Sequence, residues 1–187
     1  MPKTINFCGD SFCKDIESPS WPYCLANSLG CEIIGRGRNG SAYEHALLSF
    51  DNTADYTVFC WTEPHRLYHR EYPLNSKSAK AFKTKNKVFA AAHAYFEYAH
   101  DYGCSERRQK RELYWFDHEV LSQYKGVVLH CWSFNLAYQF KHGITFETPL
   151  ISLTQPSQRN INHFTEEENF QLFTQLYKLI RSYDGKN

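Results

Sequence analysis

Short apolar runs alternate along the chain with longer stretches whose apolar residues recur at helical spacing. The runs rich in β-branched and aromatic residues predict buried strands, and they are TINFC (4–8), CEII (31–34), YTVFCW (56–61) and GVVLHCW (126–132). A further run, TPLISL (148–153), is a weaker strand candidate. Strands that alternate with helices predict an α/β sandwich with a mostly parallel sheet.

Glycines and capping residues mark the limits of the predicted helices. Gly30 falls where a helix over WPYCLANSL would end, and Ser41 is the expected N-cap of a helix over SAYEHALLSF. Two further helices are predicted over residues 86–103 and 105–126, each ending at a glycine. The pattern therefore predicts sharp helix boundaries at most of the connections.

The last helix has the clearest start signal of all. Thr165 and Glu168 in TEEE form a capping box ahead of the apolar pattern FQLFTQLYKLI. Residues 65–87 differ from the rest, because they are polar and basic and have no firm periodicity. We expect them to form an excursion from the sheet within one domain of residues 1–187.

Composition narrows the function classes. The chain has a formal net charge of +1, so no long-range field would steer it to nucleic acid or to an anionic membrane. Its N-terminus lacks the features of a signal peptide and no stretch is long enough to span a bilayer, so a cytoplasmic location is expected. The 7 cysteines show no CxxC pair and are expected to be reduced, mostly packed thiols.

Three polar turns follow the first three predicted strands. They are GDS (9–11), GRGRNGS (35–41) and WTEPHR (61–66). In a parallel sheet the carboxyl ends of the strands meet at one edge, where ligands usually bind. We therefore expect the chemistry of this protein at that edge.

The first of these turns places a hydroxyl on the residue after a tight bend. Ser11 would stand just ahead of helical backbone, where its own amide could point toward an oxyanion. On its own, GDS is a weak signal and is more typical of a capped turn in which Asp10 and Ser11 bind nearby backbone. Far downstream, His163 precedes the last helix and could act as a base for Ser11 if their connections are neighbours. Gly40 could supply a second oxyanion amide.

The order of these elements resembles the SGNH/GDSL hydrolases, including phage-encoded relatives, over nearly the whole chain. The resemblance implies a three-layer α/β/α sandwich with a flavodoxin-like five-stranded sheet. It further implies Ser11 as nucleophile and oxyanion donor, Gly40 as a second donor and His163 as general base. No cofactor is implied. Two positions depart from the family pattern.

The first departure lies after the third strand, where the family carries GxND and this chain carries WTEP. Thr62 could donate from its hydroxyl, whereas an ionised Glu63 would oppose a developing oxyanion. Asn39, beside Gly40, is a candidate substitute donor. The second departure is Asn160, which stands where the family has an Asp three positions before the His. An Asn can orient His163 but gives no charge to stabilise the imidazolium.

Other residues at this edge are candidates for substrate contacts. Trp61 could line the pocket from the end of its strand, in contrast to Trp21, Trp115 and Trp132, which are expected in the core. Asp10, Glu63, His65 and Arg66 complete the predicted substrate-binding set.

Three other motifs do not predict a metal, nucleic-acid or nucleotide site. His65 and His69 are four residues apart but lie beside Pro64 in a loop without a third ligand, so no metal is expected. The basic stretches 77–87 and 107–111 are more typical of solvated faces than of a specific nucleic-acid site. The turn GRGRNG lacks both the GxGxxG spacing and the Walker lysine of nucleotide-binding loops.

Two functions stay open at this point. The first is a serine-dependent esterase or deacetylase that cleaves a small ester or an O-acyl group, for example on a glycan, through an acyl-enzyme on Ser11. The second is a weakly active or inactive SGNH-like domain with a binding or structural role, such as a partner in the assembly of a viral particle. Retention of Ser11 and His163 favours the first, and Asn160 favours the second.

Overall fold

The computed structural model describes residues 2–154 and 164–184 and has an α/β architecture with one parallel sheet. The strands are β1 (Lys3–Gly9), β2 (Cys31–Gly35), β3 (Tyr56–Trp61), β4 (Val127–Trp132) and β5 (Ile144–Phe146). Their order across the sheet is β2-β1-β3-β4-β5, with every neighbouring pair parallel. This is the flavodoxin-like three-layer α/β/α fold expected from the sequence.

Helices cover both faces of the sheet. They are α1 (Trp21–Leu29), α2 (Tyr43–Leu48), α3 (Ser76–Phe82), α4 (Lys87–Tyr98), α5 (Tyr102–Trp115) and α6 (Glu166–Asp184). One turn of π-helix (Phe116–Val120) and a 3-10 turn (Leu121–Gln123) continue α5 toward β4. No helix in residues 2–154 or 164–184 is both long and apolar enough to cross a bilayer.

Alternation along the central strands divides the core into two layers. On one face Phe7 and Val58 pack with Trp21 of α1 and with Leu172 and Leu176 of α6. The other face carries a layer rich in aromatic rings, which are Phe59, Trp61, Phe116, Trp132 and Phe140. A period of two sends successive side chains to opposite faces, so β1, β3 and β4 each contribute to both layers.

Two of the predicted helix boundaries are confirmed. Gly30 adopts the left-handed conformation, with φ of 67°, and ends α1. The capping box before α6 is present, because the Thr165 amide donates to Glu168 Oε2 at 2.7 Å and the Glu168 amide donates to Thr165 Oγ1 at 3.2 Å. The 7 cysteines are free, and all but Cys104 are buried or partly buried.

The weak strand candidate TPLISL was wrong. Residues Leu150–Leu153 form a 3-10 turn after Pro149, and the fifth strand is instead Ile144–Phe146. Pro149 has no amide hydrogen to donate to a sheet, whereas Ile144 begins a short β-branched run directly after Gly143. A strand of 3 residues is too short to show an alternating pattern.

Two capping predictions were also wrong. Ser41 does not cap α2, whose N-cap position is Ala42 without a side-chain bond, because the Ser41 hydroxyl donates to the Gly9 carbonyl at 3.0 Å. Gly103 does not end a helix but lies within the first turn of α5. The Asp101 carboxylate accepts from the Cys104 amide at 2.6 Å, and this cap sets the break between α4 and α5.

The segment between β3 and β4 is the largest excursion from the sheet. Within it, α3 starts at a reciprocal capping box of Asn75 and Ser78, which the sequence analysis missed. Leu74 and Ala79 pack there against Phe89 and Ala92 of α4 in a small separate apolar cluster. The predicted excursion of residues 65–87 therefore contains a short helix with its own local packing.

Candidate functional site

The Ser11 turn leaves the sheet directly after β1. Gly9 has φ of +149°, and a Cβ at this position would meet the Cys60 carbonyl oxygen at 2.2 Å, so only glycine fits. Asp10 then caps the 3-10 turn Ser11–Cys13, its Oδ1 accepting from the Phe12 amide at 3.0 Å. This geometry places a partly exposed Ser11 at the amino end of a helical turn.

The glycine-rich turn after β2 is fastened to the Ser11 turn. The Arg38 amide donates to the Gly9 carbonyl at 2.9 Å, and the Gly37 amide donates to the Cys13 carbonyl at 3.0 Å. Gly40 has φ of +61°, and its amide forms no hydrogen bond within the described residues. In the part of the chain that the structure describes, no partner therefore competes with the predicted oxyanion role of this amide. Asn39 is exposed.

A buried polar group lies beneath these turns. Asp10 is fully buried, and Thr62 and Ser133, each the residue after a strand, are 3% and 0% exposed. Both hydroxyls lower the pKa of Asp10, yet neither reaches hydrogen-bond geometry, and within the described residues Asp10 Oδ2 has no partner. Burial dominates and raises the Asp10 pKa above its ordinary value, against the opposing effect of Arg66.

Arg66 ties the third polar turn to the other two. Its Nε donates to Glu63 Oε1 at 3.1 Å, and its Nη1 donates to the Ser41 carbonyl at 3.2 Å. The guanidinium lies 5.4 Å from the centroid of the Phe134 ring and is almost completely buried. The charge of Glu63 is thus balanced locally by Arg66, which reduces its expected opposition to a developing oxyanion.

Trp61 does not reach the site. It is fully buried in the aromatic layer, stacked on Phe59 and Phe140, and its Nε1 donates to His130 Nδ1 at 3.0 Å. Trp21 and Trp132 are buried as expected, whereas Trp115 is 58% exposed. The position of Trp61 at the end of a strand therefore serves packing.

His65 faces a cleft between the ends of β3 and β4, with its Nε2 3.9 Å from Glu106 Oε1. His69 points elsewhere, because its Nδ1 accepts from the Glu71 and Tyr72 amides. The described part of the chain contains no cluster of three or more side chains that could hold a metal ion.

The amino end of α6 lies beside the Ser11 turn. Ser11, Phe164 and Asn169 line the same small cavity of about 50 Å³, and the Phe12 and Phe164 ring centroids are 5.4 Å apart. Asn169 anchors this end, since its Oδ1 accepts from the Trp21 amide at 2.9 Å and its Nδ2 donates to the Phe164 carbonyl at 3.2 Å. The predicted base His163 and its companion Asn160 lie outside the described residues.

Four residues of this edge were missed by the sequence analysis. Ser133 and Phe134 follow β4 and could have been found by extending the strand-end argument to the fourth strand. Gln109 gave no signal, because a buried glutamine within the charged stretch 107–111 resembles any surface position. Phe164 was missed because the neighbouring His163 is the predicted functional residue of that stretch of sequence.

Comparison of the chain with known protein families, with characterised proteins and with solved structures gave no significant match. The fold class therefore comes from the architecture of the sheet itself. The SGNH/GDSL resemblance stays a hypothesis that depends on the order of the motifs in the sequence.

Proposed function

We propose that this protein is a serine-dependent ester hydrolase of SGNH/GDSL type, with Ser11 as nucleophile and His163 as general base. The observation that carries the proposal is the shared cavity of Ser11 and Phe164. Phe164 directly follows the proposed base His163 in the chain, so this cavity brings the sequence neighbour of that base to the nucleophile turn. This neighbourhood is what a serine–histidine pair requires.

The reaction would proceed in two steps at the carboxyl edge of the sheet. Ser11 Oγ attacks the ester carbonyl carbon while its proton passes to His163, and the alcohol leaves with that proton as the acyl-enzyme forms. Water then attacks the acyl carbon and gives its proton to His163, which passes that proton to Ser11 Oγ as the acyl–oxygen bond breaks, so the acid leaves and both residues are restored. The amides of Ser11 and Gly40 are the proposed oxyanion donors, since each stands at a turn on this edge.

A small ester or an O-acyl group on a carbohydrate is the proposed substrate class. The alternative is a weakly active or inactive domain with a binding or structural role, for example with a viral assembly partner. Two observations favour this alternative. Asn160 replaces the acidic residue of the family motif, and the Thr62 hydroxyl is buried against Asp10.

Labelling by a fluorophosphonate probe tests the proposal. We expect the native chain to be labelled, and Ser11→Ala and His163→Ala to lose the label while they stay folded. Ser105→Ala is the matched control, because the Ser105 hydroxyl also lies beside an imidazole, 3.1 Å from His100 Nε2. Ser105 is only 7% exposed and is far from Ser11 in the sequence, so its loss should leave the label unchanged. Absence of labelling in the folded native chain would favour the non-catalytic alternative.

A further inference from the structure

A second cleft adjoins the Ser11 site on the other side of β3. It has a volume of about 300 Å³ and lies between residues 62–65, residues 134–137 and one face of α5. Its wall includes the ring of Phe134, which meets Phe12 of the Ser11 turn edge to face, with centroids 6.3 Å apart. The cleft is therefore separated from the candidate catalytic turn by one aromatic contact.

Gln109 lines this cleft and has an acceptor without a partner in the described residues. The side chain is fully buried, and its Nε2 donates to the Thr62 carbonyl at 2.9 Å. Because a carbonyl can bind only the amide nitrogen, this bond fixes the orientation of the side chain and leaves Oε1 as the remaining group. Oε1 has no partner in residues 2–154 and 164–184, and an unpartnered buried acceptor costs stability unless a ligand uses it.

A second polar atom in the same wall is also unpartnered. His65 Nδ1 is buried without a hydrogen bond to any described residue, although the ring edge is partly exposed. Phe134, Leu136 and Ala137 supply an apolar surface opposite. A few convergent polar atoms beside an apolar wall are typical of a small-molecule site.

The charges of the cleft favour a neutral ligand. Glu63 is paired with Arg66, and Glu106 shares the rim with Lys110, so neither sign predominates. A ligand that matches this wall has hydroxyl donors on its edge and an apolar face. Sugars combine these two features in one ring.

We propose that this cleft binds a neutral sugar ring, with a ring hydroxyl donating to Gln109 Oε1 and the apolar face of the ring lying against Phe134 and Ala137. The inference rests on the proposed function in one respect, since it assigns the sugar as the part of the substrate that carries the ester. Binding of the sugar itself requires no catalysis. The two proposals can therefore fail separately.

The test is a titration of the isotope-labelled full chain, followed by NMR, with the methyl glycosides of glucose, galactose and N-acetylglucosamine. We expect at least one of them to shift the Gln109 side-chain amide and the backbone amides of residues 134–137. Gln109→Met removes the acceptor while keeping a side chain of similar volume, and Ala137→Leu places a larger side chain in the cleft. Each should weaken binding by about tenfold or more.

Two control substitutions match these variants outside the cleft. Gln123→Met removes an amide that also donates to a backbone carbonyl, that of Glu119 at 3.0 Å, and Ala94→Leu enlarges an exposed alanine of α4. Both should bind the sugar as the native chain does. If Gln109→Met is too unstable to titrate, Ala137→Leu decides the question alone.

The outcomes separate the two proposals. Shifts confined to the cleft that weaken in the variants support the sugar site, whether or not Ser11 is labelled by fluorophosphonate. No shift with any of the three glycosides at high millimolar concentration, or binding equal in native chain and variants, would overturn it. Glucuronate is the charged comparison, and binding as tight as that of the neutral sugars would overturn the argument from charge balance.

Discussion

The ring of Phe164 packs against the ring of Phe12 with their centroids 5.4 Å apart and their planes inclined at 57°. These residues come from opposite ends of the chain, one from the first turn after β1 and the other from the approach to α6. Their contact brings the residue after His163 to the residue after Ser11. Under the proposed function, this contact anchors the residue next to the base against the nucleophile turn.

Truncation of Phe164 should therefore affect chemistry more than folding. We expect Phe164→Ala to slow fluorophosphonate labelling of Ser11 about tenfold. The substitution removes the anchor next to the proposed base His163, and a small misplacement of a catalytic group greatly slows a reaction. The control is Phe170→Ala, which lies near the start of α6 and is 63% exposed. Equal labelling rates in both variants, measured with the fold verified by circular dichroism, would remove the proposed role of this contact.

His130 predicts how stability depends on pH. It is fully buried, with Nδ1 accepting from Trp61 and Nε2 2.9 Å from the His142 carbonyl, so the neutral form with hydrogen on Nε2 suits both neighbours. Burial lowers its pKa from the ordinary 6.5 to about 4. Below pH 6.5 this imidazole therefore binds a proton in the unfolded chain, whereas in the folded chain it stays neutral until about pH 4.

The contribution of His130 to the free energy of unfolding should be constant above pH 6.5 and should fall as the pH drops from 6.5 to about 4. The difference in pKa corresponds to a loss of about 3 kcal/mol in the free energy of unfolding. Burial also lowers the pKa of His45 and His100, so both add to the total fall.

Urea unfolding at pH 7 and pH 4.5 separates the contribution of His130. His130→Phe should be less stable than the native chain at pH 7, since Trp61 Nε1 loses its acceptor, but should lose less stability on acidification. His118→Gln, at a partly exposed position, should keep the acid sensitivity of the native chain. Equal acid sensitivity in His130→Phe and the native chain would show that this imidazole does not resist protonation.

Much of the fold was predictable because the signals are local. The run YTVFCW is buried along its whole length and forms the central strand at the predicted residues, and Gly30 ends α1 through its left-handed conformation. The fifth strand was missed because its 3 residues form only through pairing with β4, a tertiary contact that leaves no pattern in the chain.

The positions in the candidate site that follow directly from the ends of strands could be predicted from the sequence. Those that depend on whether a side chain is buried could not. Ser11, Gly40 and Thr62 fall at one edge because parallel strands align their carboxyl ends. The burial of Trp61 and Gln109 could not be deduced, since orientation at the end of a strand or on a charged helix is decided by neighbours from distant elements. Arg66 was predicted to contact substrate, whereas it is packed among carbonyl and carboxylate oxygens.

Arg66 faces two carboxylates, and a double-substitution cycle shows which of them it serves. We expect Arg66→Met to cost about 2 to 3 kcal/mol, because a nearly buried cation is removed and Asp10 is left without its counter-charge. Adding Asp10→Asn should recover more of this loss than adding Glu63→Gln, since Asp10 is fully buried and the Glu63 side chain is 41% exposed.

The measurement is urea unfolding of the two double variants at pH 8, where both carboxyls are ionised in the unfolded chain. Asp10→Asn keeps an acceptor for the Phe12 amide, so the cap of the Ser11 turn is retained. Greater recovery with Glu63→Gln would mean that the exposed ion pair dominates, contrary to the expected effect of burial.

Asn160 offers the sharpest test of the catalytic hypothesis, because here a substitution should improve the protein. If His163 is the base and Asn160 its orienting partner, Asn160→Asp supplies the negative charge that stabilises the imidazolium formed as Ser11 attacks. We expect the labelling rate of Ser11 to rise at least tenfold, with the gain abolished by a second change, His163→Ala. Asn162→Asp is the matched control, since it adds the same charge one position from His163 outside the family spacing. An equal gain in both variants would mean that charge alone acts on the serine, and no gain in either would indicate that the two residues do not work as a pair.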